Sequence, residues 1–296
     1  MAYIISGIKP NVGKLKLYSK PVGIRWKTRT FDLFTVRSVA YGNGLFVAVG
    51  NGIATSTDGI NWSKINGLTL TNPLNKVIYV NGKFSAIGDL GSSYSSTNGI
   101  TWSNNSFAST YNHNTLIYAN GYYVTLPQIS YVYYSTNGVS WNQKLITSST
   151  TYGALTYFNN RFIAGGTNGS YSYASPSPTG TWQLRGSGNV NTISYYANSG
   201  TKLISTLDGT DAYGISTTGL SWEFHTSPIS SYKILFANNK FFVSNATSIY
   251  GSDDGLEWTP HNTVMNQRMH DVCYGNGIYV GCANNQNIIY TMSLPE

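Results

Sequence analysis

The chain has 296 residues, 41% hydrophobic and 14% aromatic, with 24 tyrosines and only 10% charged residues. No stretch approaches the roughly 18 apolar residues of a membrane span. MAYIISGIKP lacks the basic-then-apolar pattern of a secretory signal, so synthesis in the cytosol without membrane insertion is expected. Abundant aromatics among Ser, Thr, Asn and Gly read as an all-β protein with many polar turns.

The net charge of +7 is confined to one end. Residues 1–37 carry Lys9, Lys14, Lys16, Lys20, Arg25, Lys27, Arg29 and Arg37 against Asp32 alone, and the remainder balances ten bases with ten acids. Residues 1–20 form a basic arm, and the segment through Arg37 is expected to dock on an acidic surface of a neighbouring protein, with nucleic acid the weaker fit. A solvated arm with no specific partner is the plain alternative. KLKLYS (14–19) itself reads as a strand that could pair with a neighbouring subunit.

Beyond the arm, SKPVGIRW (19–26) delivers the first tryptophan, with Gly23 three residues before Trp26. All seven tryptophans, Trp26, Trp62, Trp102, Trp141, Trp182, Trp222 and Trp258, recur at steps of 36 to 41 residues. Such a period means one supersecondary unit stacked many times. Each unit opens with an aromatic and a hairpin turn, as in YGNGLFVAV (41–49), YVNGKFSAI (79–87), YANGYYVTL (118–126), YFNNRFIAG (157–165), FANNKFFVS (236–244) and YGNGIYVGC (274–282). The fifth unit stretches this turn to YANSGTKLIS (196–205). Asn-Gly and Asn-Asn supply the positive φ of a type I′ hairpin. A second turn precedes each Trp: STDGINW (56–62), STNGITW (96–102), STNGVSW (135–141), SPTGTW (177–182), STTGLSW (216–222) and SDDGLEW (252–258).

Strand, turn, strand, loop, strand, turn, strand in about 40 residues is the propeller-blade pattern. The aromatic-plus-turn landmark occurs seven times, from Tyr41 to Tyr274, predicting a seven-bladed β-propeller over residues 21–296. The last unit reaches a third strand, Asn287 to Ser293, without a Trp of its own. The N-terminal strand, about 24–29, is therefore expected to complete the seventh blade. Cys273 and Cys282 flank the last hairpin, where Cys273 faces Val280 and Cys282 lies one diagonal step away, so two buried thiols rather than a disulfide are expected.

The pattern YGNGxFVAVG…STDGxxW resembles the Asp-box (BNR-like) propeller repeats of tailed-bacteriophage tail and fibre proteins, over roughly residues 19–293. The Asp expected two residues before Gly is instead Thr57, Thr97, Thr136 and Thr217, and only Asp253 keeps it. The resemblance implies a virion component of the tail, collar or fibre, made in the host cytoplasm. Its role would be structural, or recognition of a host glycan or protein receptor. The partners of the basic segment would be other virion proteins. A bacterial carbohydrate-binding lectin is the alternative, and a sialidase-type glycosidase a third reading.

Sialidase chemistry needs carboxylates or a Tyr nucleophile and an arginine cluster for the substrate carboxylate. Outside the arm only Arg161, Arg185 and Arg268 occur, in three separate units, so a non-enzymatic protein without cofactors is expected. His225, His261 and His270 could converge near Glu223 and Asp271, yet no HxH or HxxxH spacing supports a metal site. The two turn types share one edge of the disc and hardly vary. The opposite edge carries loops and linkers of differing length, the usual build of a binding surface. Phe107, Tyr111, His113, Phe224, His225, His261, Arg268 and His270 are the expected contact residues there. Unconstrained loop drift would produce the same variation.

Overall fold

The computed structural model describes residues 25–127, 129–147, 151–166, 172–185, 193–207, 211–230, 233–261, 265, 267–283 and 286–293. Strand β1 (Lys27–Thr30) comes first. Blade 1 contains β2 to β5 (Val36–Gly42, Leu45–Gly50, Ile53–Ser56, Ser63–Lys64) and blade 2 β6 to β9 (Leu74–Val80, Lys83–Gly88, Ser93–Ser96, Ser103–Asn104). Blade 3 contains β10 to β13 (Ile117–Ala119, Tyr122–Thr125, Tyr131–Ser135, Asn142–Leu145) and blade 4 β14 to β17 (Tyr152–Phe158, Arg161–Gly166, Ser172–Ser175, Gln183–Arg185). Blade 5 contains β18 to β21 (Ile193–Asn198, Leu203–Leu207, Ala212–Ser216, Glu223–Thr226) and blade 6 β22 to β25 (Lys233–Ala237, Lys240–Ser244, Ile249–Ser252, Thr259–His261). The last three are β26 to β28 (Met269–Gly275, Ile278–Ala283, Ile288–Ser293).

Each blade is a four-stranded antiparallel sheet, and the seventh runs β1-β28-β27-β26. The N-terminal strand thus completes the last blade, with Lys27 opposite Thr291 and Thr30 opposite Ile288. Inner strand β2 lies against both β6 and β26. The ring is shut, and the fold is the expected seven-bladed propeller.

Both turn landmarks behave as their chemistry dictates. Asn43, Asn81, Asn120, Asn159, Asn238 and Asn276 hold φ between 45° and 51°, which Asn tolerates better than most residues. In the second turn, Ser56 Oγ accepts from the Gly59 amide at 2.8 Å, while Asp58 Oδ1 accepts from the amides of Ile60 and Asn61 at 2.8 Å each. Asn98, Asn137, Thr218 and Asp254 repeat that role. The acceptor therefore stands directly before Gly, one place later than in the Asp-box pattern. Those two amides, Asn61 first, hold the Asp58 carboxyl well below the usual carboxylate range. The two turns also grip each other across blades. Asn276 Nδ2 donates to Thr57 O at 2.9 Å, and Asn159 Nδ2 to Thr217 O at 2.9 Å.

The core is a ring of clusters between blades. Blades 7 and 1 share Val280, Cys282 and Ile289 with Val36, Phe46 and Ala48, while blades 1 and 2 share Val47 and Ile53 with Leu74 and Phe84. One tryptophan serves each interface: Trp62, Trp102, Trp141, Trp182, Trp222 and Trp258 each pack toward the preceding blade. Trp26 does so between blades 6 and 7. Trp26 and Trp182 are buried and the other five half-buried.

Two details differ from expectation. In blade 5 Asn198 pairs with Leu203, so Asn198, and not Tyr196, occupies the landmark aromatic position. Its Nδ2 donates to Tyr157 O at 2.7 Å, an amide link in place of a ring contact. Both cysteines are free, as expected, but Cys273 is only half-buried while Cys282 is buried opposite Asp271.

Candidate functional site

Inner strands run from the loop face toward the turn face, so their first residues ring the loop-face mouth of the central axis. Five of them carry a β-bulge at the same place, between Val36 and Ser38, Leu74 and Lys76, Tyr152 and Ala154, Ile193 and Tyr195, and Met269 and Asp271. A bulge re-aims side chains. Here it brings consecutive residues, Asn75 with Lys76 and His270 with Asp271, to the same axial cavity of about 910 Å³.

Strand register defines seven equivalent positions around the axis, three residues before the landmark: Ser38, Lys76, Thr115, Ala154, Tyr195, Lys233 and Asp271. Asp271 joins blades 7, 1 and 2. It accepts from Ser38 Oγ at 2.5 Å and from Lys76 Nζ at 2.7 Å. Burial opposes its ionisation, but the Lys76 ammonium and these hydrogen bonds keep it below the usual carboxylate range. In blade 6, next to Asp271, Lys233 Nζ sits 3.8 Å from the Tyr195 ring centroid. Burial, helped by Lys76 and Arg268 and opposed by Asp271, brings Lys233 down to about 7.

A second tier lies at the bulges. Arg37 donates to Asn75 Oδ1 at 2.5 Å and to Asp89 Oδ2 at 3.1 Å. Asn75 Nδ2 donates to Asp89 Oδ1 at 2.7 Å and Asn114 Oδ1 at 3.0 Å. His270 Nδ1 lies 3.1 Å from Arg37 O. A carbonyl only accepts, so Nδ1 carries the proton and Nε2 the lone pair. Burial first, then Lys233, pushes this imidazole down to about 3.

The expected contact residues are dispersed. Tyr111 is exposed and Arg268 half-buried, both on linkers of the loop face. Phe107 is half-buried and stacked on Trp141 at 5.2 Å. His113 is fully buried, with Nε2 3.0 Å from Ser109 Oγ and Nδ1 3.3 Å from Thr125 Oγ1. Phe224 and His225 lie on outer strand β21, at the rim of the disc, because the strand extends through Thr226. His261 is buried, and its Nδ1 accepts from Trp26 Nε1 at 3.1 Å. His225, His261 and His270 thus stand on three different blades. Among the described residues no three metal-ligating side chains come together.

In the basic segment, Lys9, Lys14, Lys16 and Lys20 lie outside the described residues, as does the whole arm 1–20. Arg25 and Lys27 are exposed, and Arg29 Nε donates to Thr291 Oγ1 at 2.8 Å. Arg37 is separate from them, being committed to the axis. The residues missed in the sequence are Asn75, Lys76, Asp89, Tyr195 and Lys233. For Lys76, Tyr195 and Lys233 the signal was a fixed offset from the landmark position, legible once the bulge is known, whereas Asn75 at the bulge and Asp89 after β7 stand outside it.

This arrangement defines a closed seven-bladed propeller with a polar, charged axial mouth. No protein-family model matches the chain, and no curated protein matches it in sequence. Solved structures share the fold. YCF48 from Cyanidioschyzon merolae is 13% identical with a TM-score of 0.70, covering 90% of this chain and 98% of its own. Virginiamycin B lyase from Staphylococcus aureus is 10% identical with a TM-score of 0.74, covering 91% and 99%. The WD40 propeller of Doa1 is 12% identical with a TM-score of 0.72, covering 91% and 96%. At such identities the likeness concerns fold alone.

Proposed function

We propose that this protein is a non-enzymatic recognition propeller that takes its ligand at the loop face, around the mouth of the axial cavity. The observation that carries this reading is the asymmetry of the disc. One face is built from near-identical turns bonded to one another, while the other combines variable linkers with a charged cavity. The Asp271 carboxylate is already engaged by Ser38, Lys76 and the Val39 amide, which suits a positioning role better than that of a general base. The Asp-box resemblance supports a place on a tailed-phage virion, in which the basic N-terminal segment holds the particle and the loop face meets the host surface.

A glycan array probed with purified protein tests this. Binding is expected, with signal lost in a Tyr111→Ala/Arg268→Ala double variant and retained in Asn61→Ala on the turn face. Equal loss in both variants, or turnover of a fluorogenic sialoside by the wild type, overturns the reading.

A further inference from the structure

We propose that the axial cavity binds a carboxylate group of the ligand, with the Lys233 ammonium as its counter-ion. This rests on the loop-face reading and specifies the chemistry of its anchor.

The argument starts from charge accounting at the mouth. Each carboxylate there already has a cation: Asp89 has Arg37 at 3.1 Å, and Asp271 has Lys76 at 2.7 Å. Lys233 has none. Among the described residues no carboxylate lies within ion-pairing distance of its Nζ, and the face of Tyr195 stands in that place. A half-buried ammonium without a counter-ion is an unfavourable arrangement that structures normally complete with a partner. The ring supplies only part of that stabilisation.

The geometry leaves room for an anion. Lys233 occupies the ring position equivalent to Asp271 and Lys76, which form a pair, and it opens on a cavity of about 910 Å³. That volume lies in the range of small-molecule sites. The Tyr195 ring, beside the ammonium, also lines this cavity and offers an apolar face to the carbon frame of a ligand. A single uncompensated cation matches a monoanion, so a carboxylate fits better than a dianionic phosphate, which would bring a second charge with no partner.

Binding should also take up a proton. Burial holds Lys233 near 7, and an adjacent carboxylate favours its charged form. Asp271 on β26, held below the usual carboxylate range, stays ionised between pH 8 and 6, and His270 on β26, pushed down to about 3, stays neutral. Lys76 on β6, Arg37 on β2 and Arg268 are the other charged groups around it.

Isothermal titration calorimetry with four probes decides the matter: galacturonate against neutral galactose, and acetyl-trialanine with a free C-terminus against its amide. At least one carboxylate probe should bind while its neutral analogue does not, and the better of the two identifies a sugar acid or a peptide terminus as the source. Affinity should rise about tenfold from pH 8 to pH 6. Lys233→Met should lose at least about tenfold, whereas Lys144→Met on exposed strand β13 should bind as wild type. If Lys233→Met fails to fold by circular dichroism, the wild-type pH dependence and the neutral analogues still decide. Equal binding of charged and neutral probes, no binding of either carboxylate, or pH-independent affinity overturns the proposal. Array binding that survives such a result would spare the loop-face reading, and carboxylate binding without array binding would do the reverse.

Discussion

Two glycines set how closely neighbouring blades approach. A Cβ on Gly42 would lie 2.0 Å from the ring of Tyr79, and one on Gly275 would lie 2.2 Å from the ring of Tyr41. Tyr79 and Tyr41 therefore lie against the backbone of the preceding blade, while the other contact of each is the aromatic of its own second strand, Phe84 at 4.7 Å and Phe46 at 4.6 Å. Gly42→Ala must displace a ring and is expected to destabilise by about 1–3 kcal/mol. Gly44→Ala meets no atom and is strained only by its φ of 74°, at about 1 kcal/mol. Urea unfolding of the two variants checks the order, and a larger loss at Gly44 would refute the close-approach argument. The GNG run showed only its turn in the sequence. That its first glycine serves the next blade is invisible without the ring, because Tyr79 lies 37 positions away.

At the level of elements, the closing strand carries the most weight per residue. β1 is four residues long and mostly exposed, yet the adjoining Trp26 is buried, edge-on to Phe242 at 5.6 Å and hydrogen-bonded to His261. Removing residues 1–30 strips blade 7 of its outer strand and the blade 6–7 cluster of its indole. Loss of soluble protein is expected, read by gel filtration and circular dichroism, since losing a buried Trp alone costs about 3–5 kcal/mol. A monomeric, fully folded truncation would contradict the closure. This element was legible in advance because Trp26 keeps the repeat spacing from Gly23 and lies outside every other unit. The axial bulges were not. An extra residue in β2 or β26 changes no local pattern, since Arg37 and His270 read equally well as linker residues until pairing partners are known.

On the scale of the whole molecule, stability is shared around a circle, and its acid response should be shared too. Burial lowers His113 and His261 to about 4, and His270 to about 3. In the unfolded chain these groups titrate near 6.5, so between those values the unfolded state holds more protons. Stability from the neutral imidazoles is complete above about pH 6.5 and is lost as pH falls through about 4. The melting temperature should therefore drop over that window, and His261→Asn should flatten part of the decline. An unchanged profile in this variant would show that Trp26 does not depend on a neutral acceptor. Two-faced architecture and blade number were readable from seven tryptophans, because a fixed period leaves little freedom. The axial site was not, since it is assembled from one or two residues of each of several blades. The same wiring bears on biosynthesis. Lys27 leaves the ribosome early, but its partner Thr291 follows some 260 residues later, roughly 13–50 s at 5–20 residues per second. During that wait Trp26 has no interface to enter. The ring can lock only after the last blade is made, and a ribosome that stalls late releases a chain with an open seam.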